Sequence, residues 1–170
     1  NFQNKDFKLV SINTARFDVT KHLAIPVISD AKIGLLELSK ALGDWRAPNN
    51  WYERSIDERK KWDSYVEKQS GPTNQELPSY AHAVGAVYRN ADPSDIVVTA
   101  AGGLVGEVVQ IWKPKELNTF ETEWGFSCMG YEISGALGIK MAKPDQDVVV
   151  FVGDGSYLLH NSDIYSSVLY

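Results

Sequence analysis

The sequence predicts an α/β protein whose parallel sheet carries helices on both faces. Two apolar runs without polar alternation, residues 96–101 and 148–152, are typical of strands that are buried in a parallel sheet. Predicted helices separate the two runs, and a parallel sheet requires such crossover connections between its strands. The fold class follows from these two observations.

The first part of the chain predicts a smaller α/β piece. Residues 7–13 alternate as a half-buried strand does, and residues 24–28 form a second short apolar run. Ser29 or Asp30 is expected to cap a helix over residues 31–42, because short polar side chains there accept a backbone hydrogen bond. A strand–strand–helix order of this kind indicates part of an α/β layer.

Residues 44–73 differ in composition and predict a connector between two domains. They are rich in tryptophan and charge, and they predict a charged helix over residues 56–69. Gly71 and Pro72 then favour a boundary. The predicted division of the chain is residues 1–43, 44–73 and 74–170.

The elements after the connector alternate between helix and strand. Their predicted order is helix 80–88, strand 96–101, helix 105–112, helix 129–142, strand 148–152 and a last helix over 162–170. No stop signal follows the last helix, and the chain has no initial methionine. We therefore expect a piece of a longer protein.

Composition and charge argue against several classes of function. The net charge is −5, with 17 basic and 22 acidic side chains, and no basic block indicates a nucleic-acid or anionic-membrane partner. The only cysteine, Cys128, excludes an internal disulfide and a cysteine-based zinc site. No apolar run reaches the ~20 residues that cross a bilayer, and we expect a cytoplasmic protein.

The turn after the second buried strand has the composition of a phosphate site. Gly153 and Gly155 allow the backbone to approach a ligand closely, and Ser156 adds a hydroxyl that can also cap the next helix. Asp154 would repel a phosphate unless a divalent cation lay between them, which predicts Mg²⁺. A tight turn without a ligand is the alternative, but its place directly after an apolar strand favours a metal-bridged phosphate.

This turn and the segments before it resemble thiamine-diphosphate enzymes of the pyruvate decarboxylase and acetolactate synthase type. The family's signature opens with Gly-Asp-Gly after a buried strand. The segments that carry the resemblance are residues 98–103, 125–138, 143–145 and 153–156. They occur in the family's order across residues 77–161, and residues 7–43 are similar to the end of its Rossmann-like central domain. Residues 74–170 would then be the first part of an incomplete thiamine-diphosphate-binding fold.

Within this family the chain most resembles the trihydroxycyclohexanedione hydrolases of inositol breakdown. The resemblance lies in residues 100–104, 127–132 and 155–158 and in the tryptophan-rich connector. It implies a small-molecule carbonyl substrate, cleavage of the carbon–carbon bond next to the carbonyl, and hydrolytic opening of a cyclic 1,2-dione. An acetolactate-synthase-like carboligase or decarboxylase is the alternative inside the family.

The resemblance assigns one group of residues to the diphosphate. Asp154 would bind Mg²⁺, while Gly153, Gly155 and Ser156 would hold the diphosphate. A second turn, formed by Ala101, Gly102 and Gly103, would contact the diphosphate from the other side.

A second group would hold the rings of the cofactor. Met129 matches the bulky apolar residue that bends thiamine diphosphate into a V shape. Ser127 and Met129 would bond the aminopyrimidine through backbone atoms. The resemblance assigns no catalytic side chain within the chain. The activating glutamate belongs to the family's N-terminal domain, and the second metal ligand is expected beyond residue 170.

The resemblance also implies an assembly. Active sites of this family form between subunits, so the parent enzyme is expected to be a homodimer or homotetramer with a shared site. The 170-residue chain alone is expected to be inactive.

A nicotinamide-binding Rossmann domain is a further alternative. Residues 101–106 are close to a dinucleotide fingerprint, and Glu121 and Glu123 lie where a ribose-binding acid would be sought. However, Ala101 replaces the first glycine, and residues 118–124 do not have the composition of a second buried strand. A non-catalytic interaction module that keeps the fold also stays open.

Three polar or reactive side chains near the predicted site are interpreted as structural rather than catalytic. His160 is a packing or surface histidine, unless it faces the substrate. Cys128 is a packing residue rather than a nucleophile, and Glu132 has a structural role rather than a catalytic one.

Overall fold

The computed structural model describes residues 4 and 6–169. Its contacts divide the chain into two units, Asn1–Arg54 and Ser55–Tyr170. The division lies inside helix α2 (Asn49–Ser70), which occupies most of the predicted connector and begins earlier than expected. The boundaries predicted near residues 43 and 73 stay predictions about the domains of the parent protein.

The N-terminal unit is the predicted strand–strand–helix piece. Strands β1 (Val10–Asn13) and β2 (Ile25–Ile28) pair in parallel. A short 3₁₀ helix, Asp18–Leu23, joins them, and α1 (Ala31–Leu42) follows. Asp30 is the helix cap, because its carboxylate accepts a hydrogen bond from the Ile33 N–H at 3.1 Å.

The C-terminal unit contains a three-stranded parallel sheet in the order β4-β3-β5. Its strands are β3 (Ile96–Thr99), β4 (Phe120–Thr122) and β5 (Val148–Val150). All four residues of β3 are buried, as the apolar run predicted. The expected parallel α/β class is confirmed.

Strand β4 was not predicted from the sequence. Residues 118–124 were expected not to form a second buried strand, and the strand that lies there is an edge strand and is only half-buried. Its pairing is made by the backbone, since the Val97 N–H donates to Thr119 O (3.0 Å) and the Glu123 N–H donates to Thr99 O (3.3 Å). A three-residue strand with a glutamate at its centre leaves no apolar run to detect.

Five helices follow α2 among the described residues of this unit. They are α3 (Tyr80–Asn90), α4 (Gly103–Ile111), α5 (Tyr131–Ala142), α6 (Asp154–His160) and α7 (Ser162–Leu169). Helix α5 begins two residues later than predicted, because Gly130 adopts a left-handed conformation (φ 97°) at the position before it. The segment ahead of α5 is therefore a loop.

The core of the C-terminal unit joins helices to the sheet. Trp112 contacts both Tyr88 and Phe151 edge-on, with ring centroids 5.2 and 5.9 Å apart. Apolar residues of α3, α4, β3 and the end of β5 surround this aromatic group. Because β3 and β5 are parallel neighbours, the turns that follow them emerge at the same edge of the sheet.

Candidate cofactor cleft

A cleft of about 580 Å³ opens at the carboxyl ends of β3 and β5. Its lining consists of Tyr80, Ala101, Gly102, Gly103, Leu104, Ser127, Met129, Val152, Gly153, Asp154, Gly155 and Ser156. All nine residues predicted to bind the cofactor are in this set. The structure thus brings together three segments that are far apart in the sequence, although their role as ligands stays a prediction.

The turn after β3 forms one wall of the cleft. Gly102 has a positive φ of 93°, a conformation that side-chain-bearing residues rarely adopt, and α4 begins directly after it at Gly103. A Cβ atom added to either glycine would meet nothing within 4 Å. The first N–H groups of α4 have no acceptors inside the helix, so this wall combines open space with hydrogen-bond donors.

The turn after β5 forms the opposite wall. Gly153 precedes α6, and a Cβ atom added there would also meet nothing within 4 Å. Asp154 is exposed, and its Oδ1 accepts a hydrogen bond from the N–H of Gly155 at 2.9 Å. Ser156 is buried behind this turn. An anionic side chain and a glycine-lined space therefore share one wall.

Met129 packs against the wall formed by the turn after β5. It is half-exposed, and a Cβ atom added to Gly155 would lie 2.8 Å from Met129 Cε. Contact between these residues is possible only because position 155 has no side chain. The apolar side chain predicted to bend the cofactor thus packs directly on the predicted diphosphate turn.

Glu123 shapes the loop that carries Ser127. Its carboxylate accepts hydrogen bonds from the N–H groups of Cys128 (2.7 Å) and Phe126 (2.8 Å). These hydrogen bonds hold the pKa of Glu123 below its usual value, and the bond from Cys128 has the largest effect. Ser127, between the two donors, has a positive φ of 53°. The sequence did not indicate this role, because it suggested Glu123 only as a ribose-binding acid.

Glu132 lies behind the cleft and is fully buried. Its Oε1 accepts a hydrogen bond from the Ala101 N–H (3.2 Å), and its Oε2 accepts one from the Gly130 N–H (2.9 Å). The carboxylate therefore contacts the backbone of two of the segments that form the cleft. The sequence indicated a structural role but not these partners.

Comparison with known proteins identifies the domain around the cleft. Residues 100–170 match the family described as "Thiamine pyrophosphate enzyme, C-terminal TPP binding domain". Residues 100–170 are therefore similar to the cofactor-binding domain of thiamine pyrophosphate enzymes. The predicted resemblance is confirmed, and the match begins at the turn after β3 and includes every predicted binding residue of the cleft.

Curated relatives named 3D-(3,5/4)-trihydroxycyclohexane-1,2-dione hydrolase are similar to almost the whole chain. The protein of Geobacillus thermodenitrificans is 34% identical over 95% of this chain and 28% of its own length. The Clostridium tetani protein is 33% identical over 98% of this chain and 30% of its own length. The Lacticaseibacillus casei protein is 32% identical over 96% of this chain and 29% of its own length. The chain thus spans less than a third of the length of these relatives.

His160 lies outside the lining of the cleft. Its ring packs on Gly130, where an added Cβ atom would lie 2.1 Å from His160 Cδ2. Ser134 donates a hydrogen bond to Asp163 at 2.5 Å, and His160 Nδ1 is 3.5 Å from the same Asp163 oxygen. Two hydrogen bonds lower the pKa of Asp163, and the bond from Ser134 has a larger effect than the bond from His160. This arrangement supports the packing interpretation of His160.

A second cavity, of about 700 Å³, runs beside β5 and exceeds the cleft in volume. Its lining is largely aliphatic and comes from α5, β5 and the last two helices, and it includes none of the predicted binding residues. We place the site in the smaller cleft, because glycine turns, helix N-termini and a carboxylate converge there.

The described part of the chain contains neither a metal-ligating cluster nor a membrane-spanning helix. Within residues 4 and 6–169, no group of three or more His, Cys, Asp or Glu side chains could hold a metal ion. The metal prediction therefore depends on Asp154. Over the same residues, none of the helices combines the length and the apolar character needed to cross a bilayer.

Proposed function

We propose that the protein containing this chain is a thiamine-diphosphate- and Mg²⁺-dependent hydrolase that opens the ring of a cyclic 1,2-dione in inositol catabolism. The substrate class comes from the name shared by the relatives reported above. The observation that carries the proposal is the cleft itself, in which nine predicted cofactor residues from three separate segments meet.

The shape and donors of the cleft fit a diphosphate. Cβ atoms at Gly102, Gly103 and Gly153 would extend into open space, so glycine at these positions leaves a cradle that any other side chain would fill. The N-terminal turn of α4 faces this region with unpaired N–H groups and the positive end of a helix dipole. Both features favour a negatively charged group.

Asp154 supplies a carboxylate that could bind a magnesium ion at this position. Its carboxylate would repel a diphosphate in direct contact, whereas a divalent cation between the two attracts both. The hydrogen bond from Gly155 engages only Oδ1 and orients the carboxylate. We propose that the other oxygen is the ligand to Mg²⁺.

The residues of the chain would orient the cofactor rather than carry out the chemistry. Thiamine diphosphate supplies, when bound, a nucleophilic carbon that attacks a carbonyl and accepts the electron pair of the broken carbon–carbon bond. Met129 would support the bend of the cofactor, and the backbone of Ser127 would bond its pyrimidine. The activating glutamate, the second metal ligand and a shared active site in a cytoplasmic homodimer or homotetramer remain part of the proposal.

Cofactor binding and ring opening test this function in the protein that contains the chain. We expect the opening of trihydroxycyclohexane-1,2-dione to require both thiamine diphosphate and Mg²⁺. Asp154→Asn should weaken cofactor binding in the presence of Mg²⁺ by at least about tenfold, since one charge-assisted ligand is worth roughly 1.5–3 kcal/mol. Asp145→Asn, an exposed aspartate outside the cleft, is the matched control.

Two results would contradict the proposal. Full ring-opening activity after removal of thiamine diphosphate would exclude the cofactor. Decarboxylation or carboligation of 2-oxo acids in place of ring opening would keep the cofactor and favour the acetolactate-synthase-like alternative. One of the two acids of the nicotinamide alternative, Glu123, already accepts hydrogen bonds from two backbone N–H groups of its own loop, which argues against that alternative.

A further inference from the structure

We propose that Glu132 is a positioning residue of the cofactor cleft. Its buried carboxylate ties the turn after β3 to the loop before α5, and so sets the distance between the segments predicted to bind the diphosphate and the pyrimidine. The ligand named in this inference comes from the proposed function, whereas the link between the two segments does not depend on it.

The geometry shows one carboxylate that bridges two backbone segments. Oε1 accepts from the N–H of Ala101 at 3.2 Å, and Oε2 accepts from the N–H of Gly130 at 2.9 Å. Ala101 and Glu132 are 31 residues apart in the sequence, so the first bond is a tertiary contact. The second is local and fixes the loop immediately before α5.

Backbone N–H groups, rather than a basic side chain, are the partners found for Glu132 among the described residues. None of the salt bridges found among the described residues involves this carboxylate. Burial of a carboxylate is costly unless hydrogen bonds replace its water. Glu132 has two backbone donors and lies in the first turn of α5, where the helix dipole favours a negative charge. Both oxygens of the Glu132 carboxylate therefore accept hydrogen bonds from the backbone.

One donor lines the cleft, and the other is next to a lining residue. Ala101 is part of the lining, and Gly130 follows Met129. Gly102 and Gly130 each adopt a positive φ, 93° and 97°, which glycine does readily, so both segments turn sharply beside the atoms that Glu132 contacts. Glu132 does not line the cleft itself, and it acts through its two hydrogen-bond donors rather than by touching a ligand.

His160 restrains the same loop from the other side. Its ring occupies the space where a Cβ of residue 130 would be, at 2.1 Å from Cδ2. Gly130 is thus held between the Glu132 carboxylate and the imidazole. A loop held in this way keeps the adjacent Met129 in place.

The test replaces Glu132 by glutamine in the protein that contains the chain. Glutamine keeps the shape of the side chain, but its amide nitrogen faces one of the two N–H donors, and that bond is lost. Two quantities are measured: the dissociation constant of thiamine diphosphate in excess Mg²⁺, by calorimetry, and hydrogen exchange of the Ala101 and Gly130 amides without cofactor. Glu116→Gln, an exposed glutamate outside the cleft, is the matched control.

We expect Glu132→Gln to weaken thiamine diphosphate binding about tenfold or more and to speed exchange at one or both amides. Glu116→Gln should change the affinity by less than about twofold and leave exchange unchanged. Circular dichroism at the assay temperature verifies that each variant is folded. If Glu132→Gln does not fold, Glu132→Asp is measured instead, because its shorter carboxylate keeps the charge but cannot reach both donors.

Three results would overturn the inference. One is faster amide exchange with an unchanged affinity, which would make the role purely structural. Another is a lower affinity with unchanged exchange at both amides. The third is an affinity loss no larger than the loss of folded protein. Absence of thiamine diphosphate binding by the unsubstituted protein would refute the proposed function, and amide exchange would still decide whether Glu132 links the two segments.

Discussion

Replacement of Gly85 by alanine is expected to destabilise the C-terminal unit, although alanine is the better helix former. Gly85 lies in α3, where it contacts the end of α2. A Cβ atom at this position would lie 2.1 Å from the backbone oxygen of Ser70 and 2.7 Å from Ser70 Cβ. Ordinary contacts of a Cβ atom lie at 3.4–4 Å, so the two helices would have to separate by more than about 1 Å.

The expected magnitude combines three effects. Insertion of a methyl group into a packed contact costs about 1–3 kcal/mol. The Ser70 oxygen also accepts a hydrogen bond from Arg89 at 2.6 Å, and loss of a bond to a charged group costs up to about 3 kcal/mol. The gain in helix propensity offsets about 1 kcal/mol. We expect Gly85→Ala to lower the free energy of unfolding by roughly 2–3 kcal/mol.

Substitution of Gly138 provides a control that should change the free energy of unfolding in the opposite direction. It lies in α5, where an added Cβ atom would meet nothing within 4 Å. Gly138→Ala should therefore raise the free energy of unfolding by about 0.5–1 kcal/mol. Urea unfolding followed by far-ultraviolet circular dichroism measures both variants against the parent. The reasoning is refuted if Gly85→Ala is as stable as the parent, or if both variants change stability in the same direction.

Two further predictions concern the cleft and the loop beside it. Gly155→Ala should weaken thiamine diphosphate binding, because its Cβ would lie 2.8 Å from Met129 Cε and displace that side chain. In a Met129→Ala background the same change should have a smaller effect, and equal effects measured by calorimetry in both backgrounds would contradict the contact. Because hydrogen bonds lower the pKa of Glu123 in the folded state, the stability it contributes is present above its usual pKa of 4.5 and is lost as pH falls through the lower folded value. Thermal unfolding between about pH 3 and 6 should therefore depend less on pH in Glu123→Gln than in the parent, and an unchanged pH dependence would show that these bonds do not influence stability.

Local patterns in the sequence determined much of the fold. The bounds of α1 were predicted as observed, because Asp30 caps its start and Gly43 ends it. Strands β3 and β5 were visible as apolar runs, and the expected full burial is found in β3, whereas the three residues of β5 are only half-buried. A turn that follows such a strand and contains two glycines and an aspartate then indicated where a phosphate would lie.

The predicted site was also largely present in the sequence, but through a resemblance to a family. Glycine at 102 and 153, aspartate at 154 and methionine at 129 stand in a recognisable order, and that order assigned their roles. The close approach of Met129 to Gly155 could not be deduced from the order. It depends on how the loop before α5 is placed against the turn after β5.

Only the tertiary structure decided which side chains support the site. Strand β4 exists because its backbone pairs with β3, and its three residues carry no pattern of their own. Glu123 and Glu132 are glutamates like many others in the chain, and nothing local distinguishes them. The carboxylate of Glu123 is engaged by the conformation of its own loop, whereas Glu132 bonds to Ala101, a distant segment that is brought near only when the sheet and helices have been assembled.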